Sequence, residues 1–267
     1  MLMKQLVAAA SLLLGLGLPA AAQTRRVVYG LQLWPELQAE LALPGNDYVL
    51  VTVRGQQNID NNAAGGTNRV LGFDERRVTA GYEHFWTEHW SGGATLAYVA
   101  AYKAYALVPE VLLRHRGRIG PLTFGQRLSL ERTYPSAAGA SALTNARLRV
   151  DLEKVFAVGR VGLRPRLSYE AMSHVRLLRA STDPDERTIQ FTSLRGEVGC
   201  RLAPQLDLTP WVAYQSNYYF SLEQSGPMGL IPAGRLNVVY PVVGLEMRYT
   251  LLQGQAAGTR QQLPTQH

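Results

Sequence analysis

Apolar and charged residues take turns along one segment of this chain after another. Over 143–156, Ala146, Leu148, Val150 and Leu152 alternate with Asn145, Arg147, Arg149, Asp151 and Glu153. Over 121–134, Leu122, Phe124, Leu128 and Leu130 alternate with Thr123, Arg127, Ser129 and Glu131. Over 160–171, Val161, Leu163, Leu167 and Tyr169 alternate with Arg164, Arg166, Ser168 and Glu170. A repeat of two is the strand repeat, so each segment has one apolar face and one ionic face. A soluble sandwich buries the apolar face and wets the polar one. Long strands behind a secretion signal favour the inverse: an all-β, antiparallel transmembrane barrel with lipid outside and charge inside.

The alternation divides the chain into eleven segments, at about 27–43, 48–57, 74–86, 93–102, 106–116, 121–134, 143–156, 160–171, 188–203, 206–221 and 235–251. Short turns are expected near 45, 89, 119, 158 and 204, carried by Pro44-Gly45-Asn46-Asp47, Gly117 to Pro121, Ala157-Val158-Gly159 and Ala203-Pro204-Gln205 among others. Longer loops are expected near 64, 138, 182 and 229, with a short exception near 103. Short turns on one rim and longer loops on the other suit an outer-membrane barrel. Aromatics gather near strand ends, including Trp86, Trp90, Tyr102, Tyr105, Tyr134, Phe156 and Tyr218-Tyr219-Phe220, as interfacial girdles do. Eleven strands leave the first and last running the same way, whereas an antiparallel barrel closes on an even number. The expectation is therefore about twelve strands, with residues 24–35 supplying a short extra one, or ten if one segment lies outside the wall.

The N-terminus changes the picture from sheet to destination. Lys4 precedes an apolar run from Leu6 to Leu18, and Ala20-Ala21-Ala22 forms a small-residue cleavage site. Residues 1–22 read as a signal peptide, 23–252 as the barrel, and 253–267 as a disordered polar tail. The expected location is the outer membrane, with its lipid as the surrounding solvent and a monomer as the state. The single cysteine, Cys200, excludes an internal disulfide and a cysteine-based metal cluster, and its parity places it on the lipid face. The net charge of +7 comes mostly from arginines spread over many strands, with carboxylates at the same parity. That spread fits ion pairs in a lumen and not a nucleic-acid patch.

The strongest constellation is an ionic cluster of one parity: Glu110, Arg114, Arg127, Glu131, Arg147, Arg149, Arg164 and Glu170. Directly opposite residues on one sheet face sit about 4.5–5.5 Å apart at Cβ, close enough for opposite charges to pair. The cluster reads as filling for a narrow interior. The alternative is a selectivity lining, in which an arginine excess favours anions. Lipid hydrolysis would need a nucleophile, a base and an orienting group within hydrogen-bond reach. The candidates are His174 with Ser173, Ser168 and Glu170, and His84 with Glu83 and Ser91. They match neither a His-plus-Asn phospholipase pattern nor a His-x-Ser deacylase run, so no catalysis is expected. No metal or cofactor motif stands out, and Asp183-Pro184-Asp185 reads as a turn.

The last segment holds Gly244-Leu245-Glu246-Met247-Arg248-Tyr249. Gly244, Met247 and Tyr249 are spaced like the C-terminal signal read by the barrel-assembly machinery, though a tail follows here where that signal usually ends the chain. Together with Glu110-x-x-x-Arg114, Gln126-Arg127-Leu-Ser-Leu-Glu131, Arg147-Leu-Arg149 and Tyr169-Glu170, this ending resembles the outer-membrane barrel family of Bacteroidota and relatives called domain of unknown function 2490. The resemblance spans nearly all of the mature chain. It implies an outer-membrane barrel and brings no catalytic residues with it.

Overall fold

Alternation makes every segment a strand whose two faces want different solvents, and closing the sheet on itself satisfies both at once. The computed structural model describes residues 25–43, 47–59, 72–101, 104–158, 161–176, 187–221, 224–226, 229–231 and 234–252. The expected signal peptide, the polar tail, the Pro44–Asn46 turn, most of the loop near 64 and the Asp183–Asp185 loop lie outside the described residues.

Eleven strands form the wall: β1 (Gln32–Leu43), β2 (Asp47–Asn58), β3 (Glu75–Phe85), β4 (Trp90–Ala101), β5 (Ala104–Ile119), β6 (Leu122–Pro135), β7 (Leu143–Glu153), β8 (Val161–His174), β9 (Phe191–Ala203), β10 (Leu206–Ser221) and β11 (Gly234–Leu252). Each pairs antiparallel with the next in chain order, and β11 closes the ring by pairing with β1. The boundaries fall close to those of the alternating segments.

The closure resolves the strand count. β1 and β11 run parallel, with Leu37 beside Met247 and Ala39 beside Tyr249. An odd number of up-and-down strands brings the two end strands together in the same direction, and here their backbones pair that way. The wall is thus one strand short of the expected twelve. Residues 24–35 do supply an extra short strand, Arg25–Val28, but it adds no twelfth member to the closed ring. Arg25–Val28 pairs parallel with Leu236–Val239 of the same β11, so it continues β1 across a local irregularity at 29–31. There, three residues, 29–31, stand against two of β11, 240–241, the one-residue excess of a β-bulge.

The two faces separate cleanly. Leu148 is 51% exposed on the outside, while its neighbour Arg149 is 5% exposed inside. The same contrast runs around the ring, with Leu37, Val51, Val78, Leu96, Val111, Leu128, Leu167, Leu194, Val212 and Met247 outside. Inside, the buried residues are mostly charged or polar, Glu36, Glu83, Arg166, Glu197 and Arg248 among them. The turns behave as expected at the rim that holds residues 86–89, 120–121 and 204–205. The two-residue Gly120-Pro121 link needs a left-handed residue, and Gly120 sits at φ +58°. Tyr98 and Tyr105 stack at 5.6 Å near the opposite rim, while Trp86 and Trp90 stand exposed near the short-turn rim.

Candidate functional site

The inward side chains build the site. In the half of the barrel nearer the short turns, one chain of ion pairs runs along the inner wall from β7 through β8, β9 and β11 to β1. Arg164 on β8 lies 3.7 Å from Glu153 on β7, and Glu153 also pairs with Arg166. Arg166 reaches Glu197 on β9 at 2.9 Å, and Arg195 donates to Glu197 at 2.7 Å. Arg195 then approaches Glu246 on β11 at 4.0 Å, and Arg248 pairs with Glu246 at 2.8 Å and with Glu40 on β1 at 3.3 Å. Glu246 and Arg248 are essentially inaccessible to solvent, at 0% and 1%. A buried apolar group of Ala42, Tyr48, Leu50 and Phe85 completes this floor, with Tyr48 and Phe85 edge to face at 5.5 Å.

Above the floor lies a cavity of about 360 Å³ to which every wall strand contributes. All eight residues of the sequence-derived cluster face inward, and six of them line this cavity: Glu110, Arg127, Glu131, Arg147, Arg149 and Glu170. Arg114 and Arg164 lie lower, on Glu83 at 2.9 Å and Glu153. The pairing geometry differs from the expected one. Residues directly opposite on β5, β6 and β7 are often of like sign, with Arg114 beside Arg127, Arg127 beside Arg149, and Glu110 beside Glu131. Opposite charges meet on the diagonal instead. Arg127 bonds Glu110 at 2.6 Å, and Arg147 bridges Glu131, at 3.0 Å, and Glu170. Long arginine side chains span the diagonal readily, and each then sits between carboxylates of two strands. Thr95 and Asn145 add donors to Glu110 and Glu131 at 3.1 Å each.

Sequence reasoning missed an aromatic stack on the cavity's lower wall. Trp34 on β1 and Trp211 on β10 meet edge to face at 5.9 Å, although β11 runs between their strands. The residue of β11 opposite both is Gly244. A Cβ there would come within 2.0 Å of the Trp211 ring, so the missing side chain makes the room that the rings occupy. Arg54 lies over Trp34 at 4.7 Å and Arg195 over Trp211 at 3.9 Å, so each indole carries a guanidinium on its face. The available signal was parity: Trp34, Trp211 and Gly244 all belong to inward positions. Gly244 therefore has a packing role, whereas Met247 and Tyr249 of the same motif stand outside.

No protein-family model matches the chain, and no curated protein matches it. Among solved structures it is similar to a NanC porin determined in a rhombohedral crystal form. The identity is 12%, the TM-score 0.39, and the match covers 67% of this chain and 78% of that one.

The hydrolase candidates do not assemble. Ser168 and His174 are six residues apart on β8, about 20 Å along the strand. Ser173 is next to His174 but takes the opposite face and donates to the Thr188 carbonyl. Glu83 and Ser91 do meet, at 2.7 Å, inside the barrel beside Arg114. Their proposed base His84 has the outward parity and bonds Asp47 instead. Outside, His115 packs on Trp90 at 4.6 Å near the short-turn rim, and Cys200 sits half-buried at the outward parity. Asp183 and Asp185 are outside the described residues.

Proposed function

We propose that the chain is a monomeric outer-membrane β-barrel whose lumen is closed at the short-turn end and which performs no catalytic step. One observation carries this reading: the ion pairs from Glu153 to Glu40 line about half of the ring, and Glu40, Glu246, Arg248 and Arg166 among them are at or near zero exposure. Water-wide passage beside those groups would leave them wet. The continuous apolar exterior supports lipid as the outer solvent, since exposed apolar patches of that extent are not left in water. Export by a cleaved signal, assembly through a machinery that reads Gly244, Met247 and Tyr249, and kinship with the barrels of domain of unknown function 2490 belong to the same reading. The short-turn rim then faces the periplasm.

Fractionation and conductance test it together. The mature chain is expected in the outer-membrane fraction, migrating differently on a gel before and after boiling. In planar bilayers the folded protein is expected to give no regular current steps. Recovery in the soluble periplasm would remove the membrane reading. Large uniform steps would replace the closed barrel with a channel, and anion preference in those steps would assign selectivity to the arginines.

A further inference from the structure

The cavity above the floor carries more positive than negative charge. Six arginines and five glutamates line it, and most of these arginines are engaged with carboxylates of the wall. Arg77 on β3 differs. Among the described residues no carboxylate lies in ion-pair contact with it; Glu75 and Glu131 attract it only from further off, and Arg54 and Arg147 repel it. Arg54 is its direct partner across the β2–β3 ladder. Like charges placed opposite each other destabilise a sheet. Arg54 shares only a 3.8 Å contact with Glu75, which is itself bonded by Gln56 at 2.9 Å. The Nε of Arg54 and the Oγ1 of Thr52, two residues apart on the same face of β2, make no hydrogen bond among the described residues although both are buried. Below them lies the aromatic stack, with Trp34 under Arg54.

We propose that this cavity binds a small organic oxyanion, a carboxylate or a phosphate, held between Arg54 and Arg77 with its body against the Trp34–Trp211 wall. An oxyanion between two guanidinium groups turns their repulsion into paired, charge-assisted hydrogen bonds. The volume of about 360 Å³ falls within the range of roughly 300–1,000 Å³ of small-molecule sites. A cation gains nothing at a pair of arginines, and a neutral ring leaves their charge uncompensated. The inference rests on the closed-floor reading, which makes the cavity a cup and not a section of a pore. The barrel acts in it as a receptor or reservoir for such a solute on the long-loop side.

Calorimetric titration of the full mature barrel, folded in detergent, tests this with benzoate and phenyl phosphate, and with benzyl alcohol as the neutral analogue. Saturable binding is expected for at least one of the two anions, and which of them binds assigns the headgroup. Benzyl alcohol is expected to bind at least about tenfold more weakly. Arg77→Gln is expected to weaken anion binding by about tenfold or more while keeping the heat-dependent gel shift of the folded barrel. Arg118→Gln, at an exposed position near the short-turn rim, is expected to leave it unchanged. Absence of saturable anion binding, equal binding of benzyl alcohol, or unaltered binding by Arg77→Gln would overturn the proposal. Conductance is read separately: a conducting barrel that binds the anions overturns only the closed floor, and a silent barrel that binds none overturns only this site.

Discussion

Gly244 shows how one missing side chain organises a neighbourhood. It stands between Trp34 and Trp211, and any Cβ there meets an indole that is 3% exposed and clamped between Trp34 and Arg195. The ring has nowhere to retreat, so a methyl group must displace the stack. Gly244→Ala is expected to cost about 1–3 kcal/mol, the usual penalty of overpacking. Urea titration of the folded barrel in detergent, read by the gel shift, measures it. Trp211→Phe removes the ring edge that clashes, so the double variant is expected to recover part of the loss, with a coupling of about 1 kcal/mol. Strict additivity of the two changes would place the clash elsewhere. Arg166 illustrates the opposite case, a buried charge held by Glu153 and Glu197. Removing one member of such a group costs more than the group adds to stability, because the survivors remain buried and uncompensated.

At the scale of elements, the seam between β1 and β11 decides the architecture. The parallel register puts Ala39 beside Tyr249 on the outer face. With Cys200 replaced by Ser, an Ala39→Cys, Tyr249→Cys pair is expected to crosslink efficiently on mild oxidation in the folded barrel. The closed ring then carries a covalent link between its first and last strands, visible as altered gel mobility that reductant reverses. An offset control, Ala39→Cys with Leu245→Cys, lies four residues out of register on β11 and is expected to crosslink poorly. Equal crosslinking of both pairs would mean that the seam slides. The bulge at 29–31 belongs to this element too, since it lets Arg25–Val28 continue along β11 beyond β1.

Over the whole molecule the interior is graded from a buried ionic layer near the short turns to an open volume. Glu40, Glu246 and Arg248 join β1 to β11 across the seam, and Arg195 links them to β9. Replacing Glu40, Glu246 and Arg248 together by Ala removes one end of the floor without leaving a lone buried charge among the three. That variant is expected to keep the heat-dependent gel shift and to show current steps in planar bilayers where the unmodified barrel is silent. A folded variant that stays silent would mean that the apolar group around Leu50 and Phe85 seals the lumen without help from these charges.

Much of this barrel is legible in its residues alone. Period-two alternation settles facing locally, because adjacent side chains of a strand must point apart; Leu148 and Arg149 therefore need no tertiary information. The same logic finds the strand limits, the short turns and the inward parity of all eight residues in the ionic cluster. It cannot decide how the ring closes, since that depends on which strand edges meet after the whole sheet has curled, and the chain closes eleven strands with a parallel pair. Nor can it decide the partners within the cluster. Parity says that Arg127 and Glu110 share a face, but register makes Arg114 the residue opposite Arg127 and leaves Glu110 on the diagonal. The Trp34–Gly244–Trp211 contact and the placing of Arg77 opposite Arg54 arise from residues distant in sequence brought to one level of the barrel. A repeat along the chain carries direction within a strand; only closure of the sheet supplies height and neighbour across it.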